Sequence, residues 1–217
     1  RRLYNGIDLT SFGQQEPPPD RHPREVLAVG RLVEKKGFDV LLEALALLRA
    51  EGLDFHASLI GDGDQAEALQ ARSLALGLGD AVAFLGPQDQ DQVRDAMARA
   101  RVFALPCVIG ADGNRDALPT VLVEAIALGL PCVSTPVTGI PEILCGEEGE
   151  AGLLVPERDV TATAAALRRL LTDDALWEAC SAAGRRRAAV HFDRHLQGAV
   201  LSRWFLETTA TEVGGLR

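Results

Sequence analysis

Short apolar runs and longer amphipathic stretches alternate along most of the chain. Glu25–Val29 has the length and content of a buried strand and closes at Gly30-Arg31. After a polar loop, Leu41, Ala44, Leu45 and Leu48 recur at the spacing of one helix face, which predicts a helix over 38–50. The same reading predicts strands at 55–60, 81–85, 102–105, 132–135 and 152–155. It predicts helices at 64–76, with Ala66, Leu69 and Leu76 inward, and at 89–99, with Val93, Ala96 and Met97 on one face. Pro136–Pro141 reads as a loop, and from Val160 the pattern predicts helices over 160–171, 174–190 and 193–209. Asn5-Gly6 is a turn signal, and Pro17-Pro18-Pro19 predicts a stiff extended piece within an irregular segment 1–24.

Strands alternating with helices predict an α/β fold: a doubly wound parallel sheet with a helical C-terminal tail. In such sheets ligands bind beyond the carboxyl ends of the strands. The loops to inspect are therefore 30–37, 61–64, 86–88, 106–118 and 135–142. The expected organisation is a connecting segment 1–24, a domain 25–190 and a C-terminal helix 191–217.

One stretch departs from simple alternation. In Asp116–Leu128, Glu124 stands among Val121, Leu122, Val123, Ala125, Ile126 and Ala127. A helix apolar on every side is a buried helix, and a carboxylate there needs a partner. Pro119 suits a first helical turn, which puts Glu124 on the same face as Thr120. Asp116 lies eight positions before Glu124. Two carboxylates then flank the positive end of a buried helix, a natural place for a phosphate and its sugars.

Charge narrows the ligand. The formal net charge is -9, which argues against a nucleic-acid partner. Against that background, Arg31 directly after a strand and Lys36 before the next helix stand out as phosphate-binding candidates, while Lys35 reads as solvated. Cys107, Cys132, Cys145 and Cys180 form no CxxC pair, so reduced thiols in a cytosolic protein are the simplest reading. No apolar run is long enough to span a bilayer.

Other candidates have plainer explanations. Gly61-Asp-Gly-Asp-Gln-Ala66 has the GxGxxA form of a dinucleotide fingerprint. Asp62 would oppose a pyrophosphate, and the following strand lacks an acid for a ribose, so a tight strand–helix turn is favoured. His191 and His195 lack the glutamate of a zinc-protease helix and read as surface or core-edge residues. No metal site is expected.

Taken in order, several segments resemble the C-terminal, donor-binding domain of GT-B glycosyltransferases of family 4, the glycosyl transferases group 1. Tyr4-Asn-Gly-Ile-Asp8 resembles the NG(V/I)D joining segment, and Val29–Gly37 the GRLxxxKG loop. Leu59–Gly63 resembles the G(D/E)G turn and Phe84-Leu-Gly86 the F-x-G strand end. Asp116–Glu124 resembles the E-x7-E motif, and Pro136–Ile143 the GG-x-PE-(I/V) loop. Asp116 replaces the usual Glu, Ala117 stands where Gly is common, and Thr138 replaces the first Gly of the later pair.

The resemblance implies a Rossmann-like half of a GT-B enzyme that transfers a hexosyl group with retention. The donor would be a UDP- or GDP-linked sugar, with no cofactor and no bound metal. Arg31 and Lys36 would bind the diphosphate, Glu124 the ribose hydroxyls and Asp116 the transferred sugar. Leu118, Pro119 and Thr120 would present backbone N–H groups to phosphate and sugar, and Leu85-Gly86 would carry the base. The acceptor, a growing glycan or lipid-linked sugar, would be held by a domain preceding the joining segment. The chain is expected to be a fragment that alone transfers nothing. Residues 191–217 would pack toward that domain. The implied location is cytoplasmic, with any peripheral contact at the inner face of the plasma membrane made outside this segment. The alternatives are a related GT-B enzyme, a sugar-nucleotide 2-epimerase, and, of a different class, a non-catalytic nucleotide-binding module.

Overall fold

A computed structural model describes residues 3–12 and 22–214 of the chain. The three consecutive prolines of segment 1–24 fall outside the described residues. A single turn, α1 (Leu9–Phe12), precedes the sheet. Six parallel strands follow: β1 (Glu25–Val29), β2 (His56–Ile60), β3 (Val82–Gly86), β4 (Val102–Leu105), β5 (Cys132–Ser134) and β8 (Gly152–Leu154). They are ordered β3-β2-β1-β4-β5-β8. Between β5 and β8, β6 (Cys145–Gly146) and β7 (Gly149–Glu150) form a small antiparallel hairpin.

The interposed helices are α2 (Phe38–Ala50), α3 (Ala66–Ala75), α4 (Gln90–Arg99), α5 (Thr120–Ala127) and α6 (Ile140–Leu144). The chain ends in α7 (Val160–Thr172), α8 (Asp174–His191) and α9 (Arg194–Gly214). The expected α/β doubly wound parallel sheet is the observed architecture. All four residues of β4 are buried, which is why that run is apolar throughout: helices cover the sheet on both sides.

Local sequence explains several boundaries. Asp89 caps α4 in a reciprocal capping box with Gln92. Asp159 and Asp173 cap α7 and α8 through the backbone N–H groups of Ala162 and Leu176. α5 packs against α8, and the approach is close: a Cβ on Gly184 would lie 3.2 Å from both Ile126 Cβ and Ile126 O.

Two expectations are corrected. Pro136–Pro141 is not loop to its end. The last two of those residues open α6, where Pro141 sits at the start of the helix and its missing N–H costs nothing. Pro119 is the N-cap of α5 rather than a residue of its first turn, so the helix begins at Thr120.

Strand order reverses between β1 and β4, which pair with each other while their crossovers run to opposite sides. This is the topological switch point, where a crevice opens at the carboxyl ends. The loops 30–37 and 106–118 border it.

Candidate functional site

The loop after β1 is built by close backbone packing. Gly37 takes φ 68°, and a Cβ there would lie 2.0 Å from Pro106 O. The short helical turn Glu34–Lys36 is thereby pressed against the chain leaving β4. Lys35 O accepts from Val108 N at 2.9 Å, a second stitch between the two loops. The Gly61-Asp62-Gly63 turn lies against the same loop. Leu32 N donates to Asp62 O at 2.9 Å, and a Cβ on Gly61 would lie 1.9 Å from Gly30 O. Both glycines are taken up by neighbouring backbone, so the turn has the structural role favoured from sequence.

Asp116 sits at the centre. Its Oδ2 is 2.6 Å from Lys36 Nζ and its Oδ1 is 3.0 Å from Lys35 Nζ. The three side chains are only 12–14% exposed. Two lysines on one carboxylate leave the group net positive. Burial raises the Asp116 carboxyl, but its hydrogen bonds to Lys36 and Lys35 outweigh that and hold it below the usual range. The Cys107 thiol lies 3.9 Å from Oδ2, and burial pushes it up to about 12. Lys35 is therefore not the solvated side chain expected from sequence. Nothing local signalled this, because its partner is distant in the chain and approaches through the fold.

The segment around Asp116 is held on the other side by the loop after β5. Thr138 Oγ1 donates to the carbonyls of Asp116 and Ala117, and Gly139 N donates to Ala117 O at 3.0 Å. Thr138 takes φ 47°, a left-handed conformation that glycine adopts freely. It stands where the resembled motif has a glycine. The hydroxyl contacts that glycine would lack accompany this strained backbone.

Glu124 is half-buried on α5, and among the described residues no hydrogen bond or ion pair is made to its carboxylate. Burial pushes its carboxyl above the ordinary range. Helix α5 is not enclosed on every side as its sequence implied. Thr120 is exposed and Val121 and Glu124 are partly so, leaving one open stripe. Pro119 is buried and Leu118 packs partly against the core.

Arg31 is exposed beside Val33, Glu34, Lys35, Asp64, Asp112 and Asn114, which line a cavity of about 240 Å³. Leu85 is 45% exposed at the end of the edge strand β3, with Gly86 following at φ 68°. The structure brings Lys36 and Asp116 into contact, with Lys35 added. Arg31 lies with Lys35 around the cavity.

Sequence reasoning also missed the braces of the 106–118 loop. Glu34 accepts from Ala111 N and pairs with Arg158, whose Nη2 also donates to Ile109 O at 2.9 Å. Glu157 accepts from Ile109 N at 2.9 Å. Just past the loop after β5, Tyr4 OH donates to Glu142 at 2.7 Å and its ring packs on Phe192. His191 pairs with Glu148, which also binds Arg187. No group of His, Cys, Asp and Glu among the described residues has the arrangement of a metal site. None of the described helices is long and apolar enough to cross a membrane.

Comparison with known proteins gives a consistent picture. The family profile described as "Glycosyl transferases group 1" matches residues 12–187. The putative colanic acid biosynthesis glycosyltransferase WcaL of Salmonella typhimurium is 38% identical over 75% of this chain and 39% of its own length. The amylovoran biosynthesis glycosyltransferase AmsK of Erwinia amylovora is 35% identical over 88% of this chain and 46% of its own. A GDP-mannose-dependent mannosyltransferase of Mycolicibacterium smegmatis is 32% identical over 92% of this chain and 54% of its own. The chain thus spans about half the length of the curated relatives it matches. Among solved structures, sucrose-phosphate synthase from Thermosynechococcus elongatus superposes with a TM-score of 0.79 at 26% identity, over 97% of this chain and 53% of that one. HepE from Anabaena shares the fold, with a TM-score of 0.79 at 21% identity over 94% of this chain and 55% of that one. With its profile covering most of the sheet and its helices, the chain belongs to the glycosyl transferases group 1 family.

Proposed function

We propose that this chain is the donor-binding half of a retaining glycosyltransferase that moves a hexosyl group from a UDP- or GDP-linked sugar to a glycan or lipid-linked acceptor. The observation that carries the reading is the net-positive Lys35–Asp116–Lys36 group at the switch point, on the segment leading into the helix that bears Glu124. A net-positive group followed along the chain by a carboxylate with no partner among the described residues suits a ligand with phosphate at one place and hydroxyls at another. Relatives named as glycosyltransferases of polysaccharide synthesis, and one named as GDP-mannose-dependent, support the same class of donor.

In this reading Arg31 and Lys36 hold the diphosphate and Glu124 accepts hydrogen bonds from ribose hydroxyls. Asp116 meets the transferred sugar, the backbone from Leu118 to Thr120 meets phosphate and sugar, and Leu85-Gly86 supports the base. As the bond between sugar and diphosphate breaks, negative charge grows on the leaving phosphate. Positioned cations and the N-terminal end of α5 stabilise that charge, and no protein nucleophile and no bound metal is required. The acceptor is held by the portion of the full-length protein outside this chain.

The test uses the full-length protein with a panel of UDP- and GDP-sugars. A matching donor raises the melting temperature by mass action and is consumed in the presence of an acceptor extract. Glu124→Ala is expected to cut kcat/KM for that donor about 100-fold with the fold intact, the loss of charge-assisted hydrogen bonds. No donor binding by the wild type, or unchanged turnover in the variant, overturns the proposal.

A further inference from the structure

Lys35 is assigned no direct contact with the donor in the reading above, yet it is fixed more firmly than a surface lysine. Its Nζ is 3.0 Å from Asp116 Oδ1 and 3.4 Å from Asn114 Oδ1, and its side chain is 14% exposed. Lys36 uses the other oxygen of the same carboxylate, at 2.6 Å. The division matters once an anion arrives. A diphosphate draws Lys36 toward itself and loosens its hold on Asp116. It also sets a second negative group near that carboxylate, which disfavours its charged form. An unbraced Asp116 would then swing away or take up a proton. Lys35 prevents both, because it grips Oδ1 from the loop side. Its own main chain is anchored independently through Val108 N.

We propose that Lys35 is the positioning residue of the sugar-contacting acid: it keeps Asp116 ionised and in place when Lys36 turns to the donor diphosphate. The inference rests on the donor-site reading above. The groups that face the Asp116 carboxylate are Lys35 and Lys36 from the loop after β1 and the Cys107 thiol from the end of β4. The two lysines are the cations among them, so loss of Lys35 leaves Asp116 only Lys36, which the diphosphate also claims.

The experiment is steady-state kinetics of the full-length enzyme with its donor, comparing wild type with Lys35→Met and Lys35→Arg. Methionine keeps the unbranched apolar stem of lysine without the charged terminal nitrogen, and the Val108 N to Lys35 O bond survives the change. In Lys35→Met, kcat is expected to fall about tenfold while donor KM stays within about twofold, the signature of a misplaced group rather than lost binding. The acid limb of the kcat profile moves up by about one pH unit. Lys35→Arg restores most of both. In an Asp116→Ala background, Lys35→Met has no further effect, because the lysine acts through that acid.

Several results would overturn the proposal. A raised donor KM with unchanged kcat would make Lys35 a direct phosphate ligand. A lower kcat with an unmoved acid limb and no rescue by arginine would make it structural. Additive losses in the Asp116→Ala background would separate the two residues. A wild type that turns over no sugar nucleotide defeats the donor-site reading and this inference with it, whereas an active wild type with an indifferent Lys35→Met defeats this inference alone.

Discussion

Replacing Asp116 by Asn tests the central ion-pair group without reference to any substrate. The substitution keeps shape and removes one negative charge, leaving Lys35 and Lys36 facing each other across a neutral amide. All three side chains are 12–14% exposed, so the cations are poorly hydrated where they stand. Removing one partner of a fully buried pair costs about 3–5 kcal/mol. Partial access to water, and the amide oxygen still available to one lysine, bring the expected cost to about 2–3 kcal/mol. For a domain of this size that lowers the melting temperature by roughly 4–12 °C. The pH dependence has a definite sign. Asp116 is held below its ordinary pKa in the fold, so the unfolded chain binds a proton first as the medium is acidified. Its contribution is full above the unfolded value of about 3.9 and is lost as pH falls through the folded value. Urea unfolding of the two proteins from pH 7 to pH 3 should therefore show a gap that is constant near neutrality and narrows below about pH 4. The freed lysines should also take up inorganic phosphate more tightly, so phosphate should recover more stability in the variant than in the wild type. A variant within about 1 °C of wild type at pH 7 would refute the reasoning.

Three further substitutions probe other parts of the fold. Glu124→Gln removes a half-buried charge that has no described partner, so it should stabilise the unliganded protein by about 0.5 kcal/mol at pH 7.5. Because the folded pKa is raised, the penalty is fully present above it and vanishes below the unfolded value of about 4.3, so melting temperatures of the two proteins should converge at pH 4; a variant less stable than wild type at pH 7.5 would contradict this. Gly61→Ala would place a Cβ 1.9 Å from Gly30 O at φ 138°, costing about 3 kcal/mol or more, whereas Gly52→Ala, at φ 79° with nothing within 4 Å, should cost only about 1–2 kcal/mol. Thermal unfolding of the pair separates loop-on-loop packing from backbone strain, and equal losses would mean that the contact at Gly61 is yielding.

The sheet was legible because a parallel strand covered on both faces is a continuous apolar run, and β1 and β4 are of that kind. Leu41, Ala44, Leu45 and Leu48 all proved fully buried on α2, since a one-sided helix has a periodicity that survives in the sequence. The short helix α6 was not legible. Its five residues contain a proline that reads as a breaker until its place at the helix start is known. Lys35 was not legible either. Two adjacent lysines look alike in sequence, and what makes both of them site residues is the arrival of Asp116 from the far side of the switch point. For Glu124 the sequence identified an unusual carboxylate but not its degree of burial. Whether a helix is wrapped on every side depends on where it sits, and α5 begins at the open edge of the sheet.

That edge explains how an acidic chain can carry the anion site proposed above. A net charge of -9 sets a field that opposes a sugar nucleotide approaching from solution. Long-range repulsion of this kind is screened over about 8–10 Å at physiological salt, so only local charge acts at contact. The strand order brings Lys35 and Lys36 of the loop after β1 against Asp116 of the loop after β4, and within that group the 2:1 ratio leaves positive charge in excess. The same acid that restrains the lysines lowers the cost of holding two like charges together in a half-dry crevice. In that proposal an entering phosphate would complete a pairing that Asp116 alone leaves unfinished. Replacing the acid with a neutral group would raise the attraction for phosphate and lower the stability of the empty protein together. The pairing therefore couples fold stability and anion affinity in opposite directions through one carboxylate.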